Sequence, residues 1–264
     1  MFVDRPELDH WMRWHGVEPE PAPEHLSHDP RLAAHGCLSD QTLFRALGFD
    51  EVLSLDISDY EGSEIIADLN QEIPPELEGR FDAVFDGGTM QHIFDVPQVL
   101  RNLHRTLKPG GRLVFSSVPV NNHVDHGFYM LSPTLFVDYF RANNYEINAA
   151  FLCRARYYWV DARLYTTTAR ITPYEPSSLD HLSFGGFGGT PASLFFVATR
   201  TAESTAHVAP IQSYFSRYRR DRTSPEGSVA PRRQRGRLYR RAKYLYTRFR
   251  DWRQARRLPV VAKY

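Results

Sequence analysis

Three short apolar segments of this chain each end in an aspartate, and this pattern constrains the fold more than any other feature. They span residues 51–56, 64–68 and 81–86 and end at Asp56, Asp68 and Asp86. Apolar runs of this length, bounded by polar residues, are typical of buried strands. Because helical patterns flank them, the sequence predicts alternating strands and helices, with a parallel sheet covered on both faces.

Capping signals predict three helices around these strands. Each begins at a residue whose side chain can accept a hydrogen bond from the first turn, and apolar residues at helical spacing follow. The three N-cap residues are Ser39, Asp95 and Ser132. Further strands are predicted at 112–116, 145–152 and 194–198.

The composition is that of a globular protein with a core. The 264 residues are 42% hydrophobic, and the mean hydropathy is −0.45. The first residues do not resemble a signal peptide, and no run approaches the ~18 apolar residues that span a bilayer. The sequence therefore predicts a cytoplasmic protein. Only Cys37 and Cys153 are present, too few for a disulfide framework or a thiolate zinc site.

Charge divides the chain into two parts. Residues 217–264 contain 17 Lys or Arg and three Asp or Glu, so the remainder is strongly acidic. We predict an irregular arm over 1–30, a Rossmann-like domain over 31–200, and a linker with a basic helix over 201–264. Residues 232–258 would bind an anionic membrane surface, at the inner face of the membrane, or an acidic polymer. Alternatively, their apolar stripe packs on the acidic part of the same chain.

The aspartates at the strand ends indicate a ligand site. In a doubly wound sheet, ligands bind outside the carboxyl ends of the strands. Asp56 is suited to accept from two ribose hydroxyls, and Asp68 from an adenine amino group. Gly87 and Gly88 would let the backbone approach a ligand closely. Each residue, taken alone, is also a common turn former.

From residue 38 to residue 200 the chain resembles class I S-adenosylmethionine-dependent methyltransferases. Within that group it is similar to bacterial methyltransferase-domain proteins often found among glycan and cell-envelope genes. Four stretches carry the resemblance: Leu-Asp-Ile-Ser at 55–58, Ala-Asp-Leu-Asn at 67–70, Phe-Asp-Ala-Val-Phe-Asp-Gly-Gly-Thr-Met-Gln-His at 81–92, and Leu-Lys-Pro-Gly-Gly-Arg-Leu at 107–113.

The resemblance implies an α/β fold, a Rossmann-like doubly wound sheet of about seven mostly parallel strands with a C-terminal antiparallel hairpin, to which the chain adds its basic C-terminal helix. It also implies S-adenosylmethionine as cofactor and methyl transfer to an oxygen or nitrogen of a small molecule or glycan. The residues expected to bind the cofactor are Gly36, Asp56, Ile57, Asp68, Leu69, Asp86, Gly87, Gly88 and His92.

The chain departs from the family pattern at two positions. Gly36 is the single glycine where the family has a Gly-x-Gly-x-Gly loop, and Gln91 stands where the family has glutamate. The alternative is therefore a catalytically silent binding or scaffold protein. A working pocket needs room near Gly36, whereas in a silent relative Cys37 and Leu38 would fill that space.

The loop after the 112–116 strand holds the candidate catalytic residues. His126 or His123 would remove a proton from the acceptor, with Asp125 or Asn122 orienting the ring or the acceptor. The other interpretation is a polar loop that hydrogen-bonds its own backbone. Two histidines three residues apart are too few for a metal site, so no metal is expected.

Two other enzyme classes have less support. Nucleic-acid methylation ranks third, because neither an Asn-Pro-Pro-Tyr-like motif nor a catalytic cysteine follows the 81–86 strand. A nicotinamide dehydrogenase would need a Gly-x-Gly-x-x-Gly turn, which the chain lacks. The aromatic residues at 128–129 and 157–159 form either an acceptor platform or part of the core.

Overall fold

The structure is a computed structural model that describes residues 2–21, 23–60, 62–161, 163–176, 178–179, 187–213, 245–246, 249–250, 253 and 262–263. Contacts divide the chain into two compact units. The first comprises Met1–Gln71 and Tyr157–Thr167, and the second comprises Glu72–Arg156 and Thr168–Tyr264.

The first unit contains three helices and two short strands: α1 (Arg5–Trp14), α2 (Pro30–Ala34), α3 (Asp40–Ala46), β1 (Leu55–Asp56) and β2 (Ile65–Ile66). Side chains of Asp4, Asp29 and Ser39 cap the three helices by accepting hydrogen bonds from backbone amides of the first turn. Strands β1 and β2 pair in parallel. They are shorter than the segments predicted at 51–56 and 64–68.

A small apolar core holds α1 against the rest of the first unit. It consists of Leu8, Met12, Leu38 and Ala46, which are all buried. The prediction of an irregular arm over 1–30 was therefore wrong for α1. Leu8 and Met12 lie one helical turn apart, and scattered prolines and histidines around them hid that short period.

Arg163 connects α1 to the segment at 157–167. Its side chain is 9% exposed and forms ion pairs with Asp4 at 3.0 Å and Glu7 at 2.9 Å. The guanidinium also lies 4.9 Å from the centroid of the Tyr165 ring. These contacts lie within the first unit and connect residues 159 and 156 positions apart in sequence.

The second unit contains two helices and most of a six-stranded sheet, of which residues 157–160 and 163–167 belong to the first unit. The strands are β3 (Phe81–Asp86), β4 (Leu107–Asn121), β5 (Glu146–Val160), β6 (Arg163–Pro173), β7 (Ala192–Thr199) and β8 (Ala262–Lys263), and the helices are α4 (Val96–Thr106) and α5 (Pro133–Ala142). The strand order is β3-β4-β7-β5-β6-β8. Short 3₁₀ turns occur at Pro75–Leu77 and Met90–His92.

Four buried phenylalanines form the centre of the second unit. Phe115, Phe136, Phe140 and Phe196 are each at most 1% exposed. Their ring centroids lie between 5.1 and 6.3 Å apart in the pairs that touch. Phe115 comes from β4, Phe196 from β7, and the other two from α5, so the cluster packs the helix onto the sheet.

The predicted α/β class is confirmed, but the number and direction of the strands differ from the prediction. Eight strands are described instead of about seven. Pairs β1·β2 and β3·β4 are parallel, whereas β4·β7, β5·β7 and β6·β8 are antiparallel. Insertion of β7 between β4 and β5 explains the difference, because it runs against both neighbours. It is the C-terminal antiparallel strand that the sequence predicts.

The predicted basic helix at 232–258 lies mainly outside the described residues. Within it, residues 245–246, 249–250 and 253 are described and are helical. The predicted domain boundaries at 30 and 200 stay predictions. No helix in the described ranges is both long enough and apolar enough to span a membrane.

Candidate functional site

The first unit places Asp56 and Asp68 at the same edge of its two-stranded sheet. Asp56 is the last residue of β1 and pairs with Ile66, and the amide of Ala67 donates to the Asp56 carbonyl at 2.9 Å. Asp68 follows two residues after Ile66. Because the two strands are parallel, both carboxylates lie at their carboxyl ends, as the sequence predicts.

Each of these carboxylates uses one oxygen to stabilise its own turn. Oδ1 of Asp56 accepts from the Ser58 amide at 3.0 Å and the Ser58 hydroxyl at 3.3 Å. Oδ1 of Asp68 accepts from the amide and side-chain nitrogens of Asn70, at 2.9 and 2.8 Å. Neither Oδ2 atom accepts a hydrogen bond within the described part of the chain. These two oxygens are therefore available to hydroxyl or amino donors of a ligand.

The stretch around Gly36 forms a short helix and a turn. Residues 30–34 form α2, and Gly36 lies in the turn after it with φ +72°. Cys37 and Leu38 are completely buried, and the Leu38 amide donates to the Val3 carbonyl at 2.8 Å. The side chains that were predicted to fill this space in a silent relative are thus packed inside the first unit. A cofactor contact at Gly36 stays a prediction.

The remaining two candidates of the first unit flank the acidic edge. Ile57 follows Asp56 and is 68% exposed, which is high for an isoleucine. Leu69 follows Asp68 and is half-buried. Their predicted contacts to an adenosine group stay predictions.

In the second unit, Asp86 fixes the loop that follows β3. Its Oδ1 accepts from the amides of Gly88 at 2.8 Å and Thr89 at 2.6 Å, and Oδ2 accepts from Met90 at 3.2 Å. The side chain is 7% exposed. Both carboxylate oxygens are therefore occupied by the loop, so the observed role of Asp86 is structural. Its predicted contact to the cofactor is untested.

Gln91 is the buried centre of the same loop. Its Nε2 donates to the Gly88 carbonyl at 2.5 Å, and a Cβ on Gly88 would lie 3.2 Å from that nitrogen. Oε1 of Gln91 is buried and has no hydrogen-bond partner among the described residues. A buried carbonyl oxygen without a donor is costly, so this atom would gain from a ligand donor.

Three predicted histidines come together in the second unit. The ring centroid of His126 lies 5.2 Å from that of His92 and 6.0 Å from that of His123. His92 ends the 3₁₀ turn after β3, and the other two follow β4. The sequence assigned His92 to the cofactor and His123 and His126 to catalysis, and the structure places all three side by side.

His123 is the most firmly oriented of the three rings. Its Nδ1 lies 2.8 Å from the carbonyl oxygen of Asn121, so Nδ1 carries the proton and donates. Partial burial lowers the pKa of His123, and the neighbouring His126 lowers it further, against the opposing effect of the Asn121 hydrogen bond. The ring therefore favours its neutral form, with a lone pair on Nε2.

Asn122 and Asp125 shape the loop in ways the sequence did not indicate. The Asn122 side chain donates to the carbonyls of Gly188 at 2.9 Å and Thr190 at 3.1 Å. Both residues have left-handed backbones, with φ of 59° and 60°. No hydrogen bond joins either side chain to His123 or His126 in the described part. The observed orienting contact comes from the backbone of Asn121 instead.

Sequence reasoning missed Phe94, which packs against Phe128 beside these histidines. The two ring centroids lie 5.9 Å apart with an interplanar angle of 88°. A repeated spacing could have revealed the pair, because His92 and His126 each precede a phenylalanine by two residues. In the described residues, no group of three or more His, Cys, Asp or Glu side chains is placed to hold a metal ion.

Comparison with known proteins addresses the family. A family model described as a methyltransferase domain matches residues 36–115. Over these residues, less than half of the chain, the sequence is similar to methyltransferase domains. This match confirms the predicted class I S-adenosylmethionine-dependent family, the enzyme class and the cofactor, and it does not favour the silent alternative. No curated protein matches the sequence.

Solved structures give remote similarities. One is the 1,6-didemethyltoxoflavin-N1-methyltransferase of Burkholderia thailandensis, solved with 1,6-didemethyltoxoflavin and S-adenosylhomocysteine; it is 15% identical over 75% of this chain and 77% of that one, with a TM-score of 0.36. A putative methyltransferase of Bacillus halodurans is 12% identical over 75% of this chain and 100% of that one, with a TM-score of 0.37.

The acidic edge of the methyltransferase domain fits the adenosine part of the cofactor. A ribose diol offers two hydroxyl donors, and the unpartnered Oδ2 of Asp56 can accept from them; that of Asp68 can accept from an amino group. The buried residues Cys37 and Leu38 form no comparable open loop. The fit therefore rests on the two aspartates.

Proposed function

We propose that this chain transfers a methyl group from S-adenosylmethionine to an oxygen or nitrogen of a small molecule or sugar. The observation that carries the proposal is the pair of carboxylates at the ends of β1 and β2, each with one oxygen left for a ligand. Both aspartates lie within the methyltransferase domain at 36–115.

In this proposal Asp56 accepts from the ribose hydroxyls and Asp68 from the adenine amino group. When bound, S-adenosylmethionine supplies a methyl group on a sulfonium sulfur: the acceptor's lone pair bonds to the methyl carbon, and the sulfur keeps the electron pair of the bond that breaks. The acceptor's proton then needs a base, and histidine suits this task at neutral pH.

We assign the base to His123. The Asn121 carbonyl fixes its Nδ1 proton, so Nε2 presents a lone pair in a defined direction. Its lowered pKa keeps the ring neutral, which is the form that can take a proton. His126 lies beside it and is the second candidate for the base, and Asp125 and Asn122 keep a role in shaping the loop.

Calorimetric titration of the full chain with S-adenosylhomocysteine tests the cofactor assignment. We expect Asp56→Asn to weaken binding about 10- to 100-fold, since a hydrogen bond to a charged group contributes about 1.5–3 kcal/mol. The matched control is Asp59→Asn, because Asp59 is exposed and only three residues away. Equal affinity in wild type and Asp56→Asn would refute the assignment of Asp56.

Turnover of an accepted substrate tests the base. We expect His123→Gln to lower kcat about 10²- to 10⁴-fold, the usual contribution of a positioned base. Affinity for S-adenosylhomocysteine should stay unchanged, and the exposed His28→Gln variant should behave as wild type. If His126→Gln loses turnover while His123→Gln retains it, the base is His126 and our assignment is wrong.

A further inference from the structure

Two loops of the second unit run side by side and are joined by two hydrogen bonds to the backbone of the first loop. The amide of Phe128 donates to the carbonyl of Gln91 at 2.8 Å, and the hydroxyl of Tyr129 donates to the carbonyl of Phe94 at 2.9 Å. The first loop follows β3 and the second follows β4. Their contact places side chains from two distant parts of the sequence next to each other.

The two loops present the same pair of side chains in the same order. His92 and Phe94 come from the first loop, and His126 and Phe128 come from the second. The imidazole rings lie 5.2 Å apart at 72°, and the phenyl rings lie 5.9 Å apart at 88°. We name these four residues the His–Phe ladder. The imidazole pair of His92 and His126 is its polar rung, and the phenyl pair of Phe94 and Phe128 is its apolar rung.

The apolar rung is open to solvent. Phe94 is 71% exposed and Phe128 is 66% exposed. Exposed phenylalanines in a fixed edge-to-face pair are unusual on a surface, because burying such a side chain is worth about 1.5–3 kcal/mol. The Tyr129 ring lies 6.5 Å from Phe94 and 6.3 Å from Phe128, and both phenyl rings remain largely exposed beside it. A ligand that packs on these rings would recover that free energy.

The two rungs together define the chemistry of the ligand. Phenyl rings pack well against the face or edge of another aromatic ring, and the imidazoles can exchange hydrogen bonds with an O–H or N–H group. An aromatic molecule that carries an O–H or N–H group offers a partner to both kinds of side chain.

We infer that the His–Phe ladder binds the methyl acceptor, and that the acceptor is a planar aromatic or heteroaromatic molecule carrying an O–H or N–H group. This inference rests on the proposed methyl transfer, and it narrows the acceptor from small molecules and sugars to aromatic ones. The acceptor's ring packs on Phe94 and Phe128. Its O–H or N–H group faces His92, His126 and the neighbouring His123, and its proton leaves to His123 during transfer.

The test uses 4-nitrophenol as an aromatic probe, titrated into the full chain with and without saturating S-adenosylhomocysteine. Cyclohexanol and methyl glucoside serve as a non-aromatic alcohol and a sugar. We expect 4-nitrophenol to bind at least tenfold more tightly than either. Phe94→Leu and Phe128→Leu keep an apolar side chain but remove the ring, and should each weaken binding about 2- to 10-fold, the value of one aromatic contact.

The matched control is Phe49→Leu, because Phe49 belongs to the first unit, is 39% exposed and forms an edge-to-face pair with Phe44 at 6.1 Å. This variant should bind the probe as wild type does. Equal probe affinity in all three variants, or tighter binding of methyl glucoside, would overturn the inference.

Titration with S-adenosylhomocysteine separates this inference from the proposed function. A chain that binds 4-nitrophenol through Phe94 and Phe128 but never binds S-adenosylhomocysteine would keep the ladder as an aromatic site and overturn methyl transfer. A chain that binds S-adenosylhomocysteine, but binds 4-nitrophenol no more tightly than cyclohexanol, would keep the methyltransferase and overturn the ladder.

Discussion

Replacing Gly127 by alanine should separate the two loops that form the His–Phe ladder. Gly127 has φ +88°, and a Cβ placed on it would lie 2.8 Å from the Gln91 carbonyl oxygen and 3.0 Å from Gln91 Cγ. The same carbonyl accepts the amide of Phe128 at 2.8 Å. The added methyl group therefore meets the backbone hydrogen bond that joins the loops, and the loops must move apart.

The expected loss of stability combines a backbone cost, a smaller entropy gain and a packing cost. A left-handed backbone costs a residue with a Cβ about 1–2 kcal/mol, and the reduced entropy of the unfolded chain returns about 0.4–1 kcal/mol. Forcing a methyl group into a filled site adds about 1–3 kcal/mol. We therefore expect Gly127→Ala to lower the free energy of unfolding by about 1–5 kcal/mol.

Gly79→Ala provides the matched control in the same unit. Gly79 also has a left-handed backbone, with φ +59°, but nothing lies within 4 Å of an added Cβ. Urea unfolding of both variants, followed by circular dichroism, isolates the overlap with Gln91 as the difference between them. A difference below about 0.5 kcal/mol would refute the reasoning, because the overlap alone should cost about 1–3 kcal/mol. Folded Gly127→Ala should also lose affinity for 4-nitrophenol.

Two further predictions concern stability. Burial, followed by the charge of Arg200, lowers the pKa of His104 from 6.5 to about 4. As the pH is lowered, the unfolded chain therefore binds this proton before the folded chain does. Stability should fall by about 1–2 kcal/mol as the pH drops from 6.5 to 4, after allowance for the partial exposure of the ring. His104→Gln should remove that part of the slope in urea unfolding at several pH values, and an unchanged slope would contradict it. Arg163→Met should lower stability by about 1–3 kcal/mol and speed proteolysis of the first 30 residues, because it leaves Asp4 and Glu7 without their cation. The exposed pair of Arg31 and Asp29 is the control. Arg31→Met should leave the stability of the chain unchanged, and equal losses in both variants would count against the role of Arg163.

Local signals predicted the helices well because capping acts over three residues. Ser39, Asp95 and Ser132 accept hydrogen bonds from backbone amides in the first turns of α3, α4 and α5, as their positions indicated. Strand β3 matches the predicted segment at 81–86 residue for residue. In these places the sequence neighbours are also the spatial neighbours, so a short window contains the necessary information.

Contacts between distant segments could not be predicted in this way. The position of β7 between β4 and β5 depends on pairing across the sheet, which no local pattern encodes. The Asn122 amide reaches carbonyls 66 and 68 residues away, so its side chain was assigned to a substrate when its observed partners are backbone atoms. The helix at 30–34 was not predicted; it forms because the Asp29 side chain caps it and Pro30 begins it.

The grouping of the site also depended on long-range packing. Asp56 and Asp68 could be placed at neighbouring strand ends because parallel strands impose that arrangement. His92 and His126 meet where the amide of Phe128 donates to the carbonyl of Gln91, which lies 37 residues earlier in the sequence. The histidines were therefore identified singly, with different roles, and their proximity emerged from the fold.

The order of synthesis delays the ion pairs of Arg163. The carboxylates of Asp4 and Glu7 leave the ribosome first, and their cation follows after 159 and 156 further positions. At about 5–20 residues per second this delay lasts roughly 8–30 s. During that interval α1 can gather its apolar contacts with Leu38 and Ala46, which emerge early. The first unit is therefore complete only after residue 163 has been synthesised and can pair with Asp4 and Glu7.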